Sequence, residues 1–430
     1  MNQYPRRIRA AGLILTLGLA LLGAGCGSKE RDPEGKSITF WHSMGVGTHR
    51  QTIQNITGSF TQTHPELSVT AIYQGSYSDL LQKLIAALTA GTNPSMSQMY
   101  ETWTSRFFNR GHLVALNSFF ASDPSFAEQD LNDFYQVFLD GNTWDGQLLS
   151  LPFNKSAYVL YYNADMLREA GYTQPPRTWD EMRDICEKVQ KRGLAPYGYA
   201  MRSTLESLTT LLYANGGRYL NDEGTKMMLD TPESRETVEF LHNMLFVWKI
   251  ASVESDYLNN GFGSEKFAMY IGSTAGFPYN DRSVAGRFEW RVAPIPSKDL
   301  SRPRRTLFQG TNIGIFSNTT EQERLHAWQY LRHLTNTDNA TQWAIQTGYL
   351  PIRKSCLNHP DMKAYLEKNP NYKAVLPELE NGVFEPRIEQ WESMRNVLTR
   401  EFDSFLNGRK GVEEFIRDST QKCEYVLEAE

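Results

Sequence analysis

A chain of 430 residues is too long for one ordinary core and fits two or three domains. A hydrophobic fraction of 40% beside 22% charge and 12% aromatics excludes disorder, collagen-like sequence and a polytopic membrane protein. The formal net charge is −5, but Arg6, Arg7 and Arg9 are the only charges among the first 25 residues, so the remainder stands near −8 and has no general attraction for nucleic acid.

In chain order, three arginines precede the uncharged run from Ala10 to Gly25. Sixteen residues are short for a membrane span, which needs roughly 20, and suit the apolar region of a secretory signal. The run ends in Leu22-Gly23-Ala24-Gly25-Cys26-Gly27, which resembles a bacterial lipoprotein box with Cys26 as the lipid-bearing residue; Gly23 departs from the branched apolar residue usual there. The polar stretch to Ser37, with Pro33 and Gly35, reads as a tether. Of the other cysteines, Cys186, Cys356 and Cys423 show no metal-ligand spacing, and one disulfide, Cys356–Cys423, stands against three isolated thiols.

From Ser37 strand and helix alternate. Ile38 to Trp41 is a short apolar strand, residues 48–63 carry a helical pattern, and Leu67 to Tyr73 alternates with period two. Asp79 to Ala90 sets Leu80, Leu81, Leu84, Ile85 and Leu88 on one helical face, with Gly91 as the stop. Ser97 to Glu101 is the next strand, and the succession argues for a parallel α/β sheet. Leu148 to Phe153 and Tyr158 to Tyr162 read as two further strands. Thr178 and Thr320 each stand three residues before a glutamate, the capping-box spacing, and Thr231-Pro232 is an N-cap followed by proline. Phe267 to Ile271 and Trp290 to Ile295 are strands again, and after Asn336 the chain reads as almost wholly helical. The missing interdomain linker fits two α/β bodies joined by chain crossovers.

Catalytic signatures are missing. There is no phosphate loop, Gly45-Val-Gly47-Thr-His-Arg50 lacks its third glycine, and the eight histidines include no HExxH pattern, so no metal or other cofactor is expected. A glycosidase pair needs two carboxylates close only in space, which spacing alone leaves open. An exported α/β protein rich in tyrosine and tryptophan points to binding rather than catalysis.

Several collinear segments from about residue 38 onward resemble the solute-binding proteins of ABC importers, in the branch for glycerol-3-phosphate and glycerophosphodiesters: Phe40-Trp-His-Ser-Met44, Tyr73-Gln-Gly-Ser-Tyr77, Pro152-Phe-Asn-Lys-Ser156 with Val159-Leu-Tyr-Tyr-Asn163, Thr347-Gly-Tyr-Leu-Pro-Ile352, and a carboxyl-terminal helix holding Arg395. The resemblance implies an α/β fold of two lobes with a hinge and an interlobe cleft, no catalytic activity, a small-molecule solute, a membrane permease as partner and a monomer. Laid on this chain it implies a signal peptide over 1–25, an anchor and tether over 26–36, a first lobe from 37–150 plus 274–332, and a second from 151–273 plus 333–430.

The ligand contacts it implies are Tyr77, Glu101, Ser156, Ser273, Gly310, Tyr349 and Arg395. Their chemistry is reasonable residue by residue. A carboxylate such as Glu101 accepts from vicinal hydroxyls, and the guanidinium of Arg395 is a planar fork for phosphate. Tyr77 and Tyr349 offer a phenol and a ring, and Ser156 and Ser273 offer hydroxyls, the latter at a helix start. Gly310 lets a backbone N–H approach closely, or is a turn between strand segments. One departure leaves an uncharged sugar open as the alternative ligand: Gly198-Tyr199-Ala200 is followed by Met201, Arg202 and Ser203 where the family presents a tryptophan.

Overall fold

The computed structural model describes residues 32–45 and 47–429, so the expected signal peptide, the anchor Cys26 and most of the tether lie outside the described residues. Among the described residues no helix is long and apolar enough to cross a membrane.

The first strands and helices follow the sequence pattern closely. β1 (Ser37–His42), α1 (Gly47–Thr63), β2 (Ser68–Tyr73), α2 (Tyr77–Ala90), β3 (Met96–Met99) and α3 (Glu101–Asn109) alternate. α2 begins in a reciprocal capping box between Ser76 and Asp79 and ends at Gly91 in the left-handed conformation, so both helix ends have their orphan groups satisfied. β1 pairs in parallel with β2 and with β3. The strand expected over 97–101 stops at Met99, and Glu101 opens a helix instead of closing a strand.

The two strands expected between 148 and 162 are one, β4 (Leu151–Asn163). Its first half pairs with β9 (Thr306–Ile315) and its second half with β7 (Phe267–Ser273). β4 is therefore common to two sheets. The first runs β2-β1-β3-β9-β4; the second continues from β4 to β7, β5 (Tyr197–Arg202) and β6 (Ala251–Glu254), with β8 (Trp290–Ala293) against the far end of β4. β10 (Gly382–Val383) adds to the start of β9. Pro152, which has no N–H for a ladder, sits opposite Asn312, where the β4–β9 register shifts. β9 was not expected as one continuous strand: Gln309, Thr311 and Asn312 interrupt its apolar run, and Gly310 lies within it rather than at a turn.

The helices of the second lobe start where their caps predict. α4 (Trp179–Lys191) opens with the Thr178–Glu181 capping box, and α6 (Pro232–His242) with Thr231 and its proline; α5 (Leu205–Ala214) lies between them. α7 (Glu321–Leu334), α8 (Thr337–Thr347), α9 (Trp391–Leu406) and α10 (Val412–Ala429) make up most of the remainder.

Each lobe has its own core. Ile38, Phe40, Ile53, Phe60, Ile313, Trp328 and Leu331 belong to one; Trp179, Leu208, Phe240, Trp391, Phe402 and Phe415 belong to the other. Trp343, Tyr349, Ile352 and Cys356 join the first of these cores. The handover to the second lobe expected at 333 therefore does not coincide with a change of core: α8 packs on α1. The cysteine pairing fails for the same reason. Cys356 is buried in the first core and Cys423 in the second, and both are free thiols, as is Cys186.

Candidate ligand-binding cleft

Where the lobes meet, a cavity of about 230 Å³ opens. Tyr77, Tyr100, Glu101 and Trp103 line it from the first lobe, Phe308 and Gln309 from β9, and Glu206, Glu392 and Arg395 from the second lobe. Phe384 and Glu385 close one side. They belong to the irregular segment 384–390, which reaches across to the first lobe. There Ser105 Oγ donates to the Arg387 carbonyl at 2.6 Å, Asn109 Nδ2 to Glu389 Oε2 at 3.1 Å, and Arg387 Nη1 to the Thr143 carbonyl at 3.3 Å.

The first-lobe end is built on an ion pair. Glu101, brought to the cavity by the first turn of α3, pairs through Oε1 with Lys155 Nζ and accepts from Asn312 Nδ2 at 3.0 Å. The Lys155 side chain is 0% exposed and that of Glu101 7%, so this charge is compensated inside the protein. Lys155 Nζ also lies 4.9 Å from the centre of the Phe384 ring. Burial pulls the Lys155 ammonium below its usual range, and Glu101 opposes that.

Beside it, Asn154 organises the polar wall. Its Nδ2 donates to Tyr77 Oη at 3.1 Å, while its Oδ1 accepts from Gln98 Nε2 at 3.1 Å and from the Thr311 hydroxyl. Burial raises the Tyr77 phenol well above its usual value, so it is a neutral hydrogen-bonding group. Tyr349 stands behind Tyr77, hydrogen-bonded to Asn154 and Tyr77, with its ring 6.0 Å from that of Trp343.

The opposite end is built around Arg395 on α9. Its Nη2 pairs with Glu206, at the start of α5, and its Nε with Glu385 Oε2 at 3.2 Å. Burial alone disfavours both carboxylates. Arg395, together with hydrogen bonds from Thr204 and Gln309, brings Glu206 below the usual carboxylate range, whereas Glu385 stays above it.

Of the seven residues expected in the cleft, Tyr77, Glu101 and Arg395 line this one cavity. Tyr349 backs it. Ser156 is buried on β4 with Oγ 3.5 Å from the Gln309 carbonyl. Ser273, at the end of β7, caps the short turn that follows by accepting from Ala275 N–H at 3.3 Å. Gly310 is where two strands touch. Its φ is +109°, and a Cβ there would stand 1.7 Å from the Asn154 carbonyl oxygen, so only glycine fits. At the departure from the family pattern, Met201 enters the second core and the Arg202 guanidinium lies 4.8 Å over the Tyr257 ring; neither lines the cavity.

The spacing gave no sign of Glu206, Glu385 or Asn154. Lys155 gave none either, since it falls between the two strands read at 148–153 and 158–162.

Comparison with known proteins agrees with this architecture. The family of bacterial extracellular solute-binding proteins matches residues 56–373. The sn-glycerol-3-phosphate-binding periplasmic protein UgpB of Shigella dysenteriae is 26% identical over 437 residues, covering 96% of both chains, and that of Escherichia coli K12 is 24% identical over 436. Among solved structures, UgpB of Mycobacterium tuberculosis in complex with glycerophosphocholine superposes with a TM-score of 0.82 at 23% identity, over 91% of this chain and 98% of that one. The sugar-binding protein MalE of Xanthomonas citri gives 0.79 at 20% identity, over 91% and 98%. These neighbours share the two-lobed fold, and the chain belongs to the family of bacterial extracellular solute-binding proteins.

Proposed function

We propose that this protein is the solute-binding component of an ABC importer and captures a glycerophosphodiester, or glycerol-3-phosphate itself, for delivery to a membrane permease. The observation that carries this reading is the polarity of the cavity. A guanidinium stands at one end and a hydroxyl-accepting carboxylate with neutral phenols at the other, which matches a phosphate joined to a glycerol. Its relatives support the same ligand class: the Shigella and Escherichia coli proteins are named for sn-glycerol-3-phosphate binding, and the Mycobacterium tuberculosis structure holds glycerophosphocholine. Between the two ligands the charge balance favours the diester. Glu101, Glu206, Glu385 and Glu392 surround one arginine and one buried lysine, a setting more hostile to a dianion than to a diester carrying a cationic head group.

Ser156, Ser273, Gly310 and Tyr349 act in this reading as the frame on which Tyr77, Glu101 and Arg395 are held. The lobes close on the solute about β4 and β9, and the protein works as a monomer exported and held at the membrane through lipidated Cys26. A thermal-shift panel of glycerophosphocholine, glycerol-3-phosphate, maltose and trehalose tests the ligand. Saturating ligand raises the melting point of its binder, and the first is expected to give the largest rise. A rise with maltose or trehalose alone would replace this reading with the uncharged sugar.

A further inference from the structure

Arg395 does not wait for an anion with its charge free. Two carboxylates already hold it, Glu206 at Nη2 and Glu385 at Nε, leaving Nη1 without a hydrogen-bond partner among the described residues. Glu392 adds a third carboxylate at the cavity wall. A phosphate brought to this guanidinium would add one more negative charge to a cluster with a single cation. Even for a diester that carries its own cation, losing one carboxylate charge beside the guanidinium makes entry of the phosphate more favourable.

The geometry distinguishes the two that touch the arginine. Glu206 uses its acceptors: Oε1 takes Arg395 and also Gln309 Nε2 at 3.2 Å. Glu385 divides its oxygens unequally. Oε2 accepts from Arg395 Nε and from Trp391 Nε1, at 3.1 Å, while Oε1 is buried with no hydrogen-bond partner. A buried carboxylate oxygen with nothing donating to it is costly as an anion and suited to carrying a proton. The charged and titratable groups around Glu385 are Arg395 and Glu392 on α9, Glu206 and Tyr213 on α5, Tyr219 beyond it and Tyr158 on β4, with Tyr77, Tyr100 and Glu101 on the first-lobe wall of the same cavity. Burial pushes the phenols of Tyr158 and Tyr219 well above their usual value and raises that of Tyr213, so none of the three competes for a proton near neutrality.

We infer that Glu385 is the group whose protonation opens this end of the cleft to an anion: when a phosphodiester settles on Arg395, Glu385 takes up one proton from water, and the neutral acid leaves the guanidinium charge to the phosphate. The inference rests on the phosphodiester reading above and adds to it the protonation state in which the site binds. The balance is simple, because one carboxylate and one proton give one carboxylic acid, and the ligand keeps its charge. The sign follows from linkage. The complex holds the proton more tightly than the free protein does, so affinity rises as pH falls and levels off once the free protein is protonated.

Glycerophosphocholine is the probe, because neither its phosphodiester nor its quaternary ammonium titrates between about pH 5.5 and 8.5. Calorimetry of the wild type in buffers of differing ionisation enthalpy is expected to show uptake approaching one proton per ligand, with affinity falling by up to about tenfold per unit of rising pH. Glu385→Gln, whose amide is permanently uncharged, is expected to bind without proton uptake and with less than about a twofold change over the same range. Glu206→Gln should keep the pH dependence. Tight binding by the wild type without proton uptake would overturn this inference and leave the ligand reading standing. So would a pH dependence abolished by Glu206→Gln and kept by Glu385→Gln. No binding of glycerophosphocholine at any pH would remove the phosphodiester reading and this inference with it.

Discussion

The two ends of the cleft solve the problem of a buried charge in opposite ways. At the first-lobe end Glu101 meets Lys155 one to one, the lysine fully enclosed, with Asn312 taking up a further lone pair. At the second-lobe end Arg395 is shared by Glu206 and Glu385 in a wall where side chains remain 13–28% exposed. The first arrangement is complete before any solute arrives, and removing either partner would leave a buried charge unpaired. The second has surplus negative charge and an oxygen with no partner, and a solute can change it. Difference in completeness, more than difference in sign, separates the two ends.

That contrast can be broken most sharply at Lys155. Lys155→Met leaves Glu101 buried without its cation and is expected to cost about 3–5 kcal/mol of stability. Thermal melts should show a large fall, partly restored when Glu101→Gln is added. A melting point unchanged by Lys155→Met would mean that the enclosed pair is no more structural than the open one. Arg395→Ala acts on the other end. It should weaken glycerophosphocholine binding by about 2–5 kcal/mol, roughly 30-fold to several thousandfold by calorimetry. Undiminished binding would take the phosphate away from Arg395. Arg395→Lys should recover only part of the loss, since an ammonium keeps the charge without the planar fork. Smallest of all, Glu101→Gln keeps an acceptor at the hydroxyl end and should lose about tenfold or less in affinity. A loss exceeding that of Arg395→Ala would reverse the assignment of the two ends.

Much of the fold was legible in the sequence where one face of an element is apolar. The leucine stripe of α2, the cap at Thr178 and the proline after Thr231 each express a local rule that the lobes have no reason to override. The paired strands β4 and β9 between the lobes were not legible on the same grounds. β9 carries Gln309, Thr311 and Asn312 because its side chains face the cleft and the polar cluster around Asn154, which erases its periodicity. β4 was divided in two because Asn154, Lys155 and Ser156 look like a loop; they are buried, and held by partners more than 50 residues away in the chain. Tyr77, Glu101 and Arg395 stood out through a family resemblance. Glu206 and Glu385 have no local signature, since only the folded chain brings residues 206, 385 and 395 together around one guanidinium.

The chain's entry into the fold has a mechanical consequence. Gly35 lies so close to α7 that a Cβ there would meet the Glu323 backbone nitrogen at 2.4 Å, and its carbonyl is 2.9 Å from His326 Nδ1. Asp32 clasps the same turn through the N–H groups of Glu34 and Lys36, and β1 begins at once in the first sheet. A pull from the amino-terminal side is thus delivered to the first lobe alone. Under the mooring proposed at Cys26, the half bearing Glu101 would be the tethered jaw and the half bearing Arg395 the one left to swing.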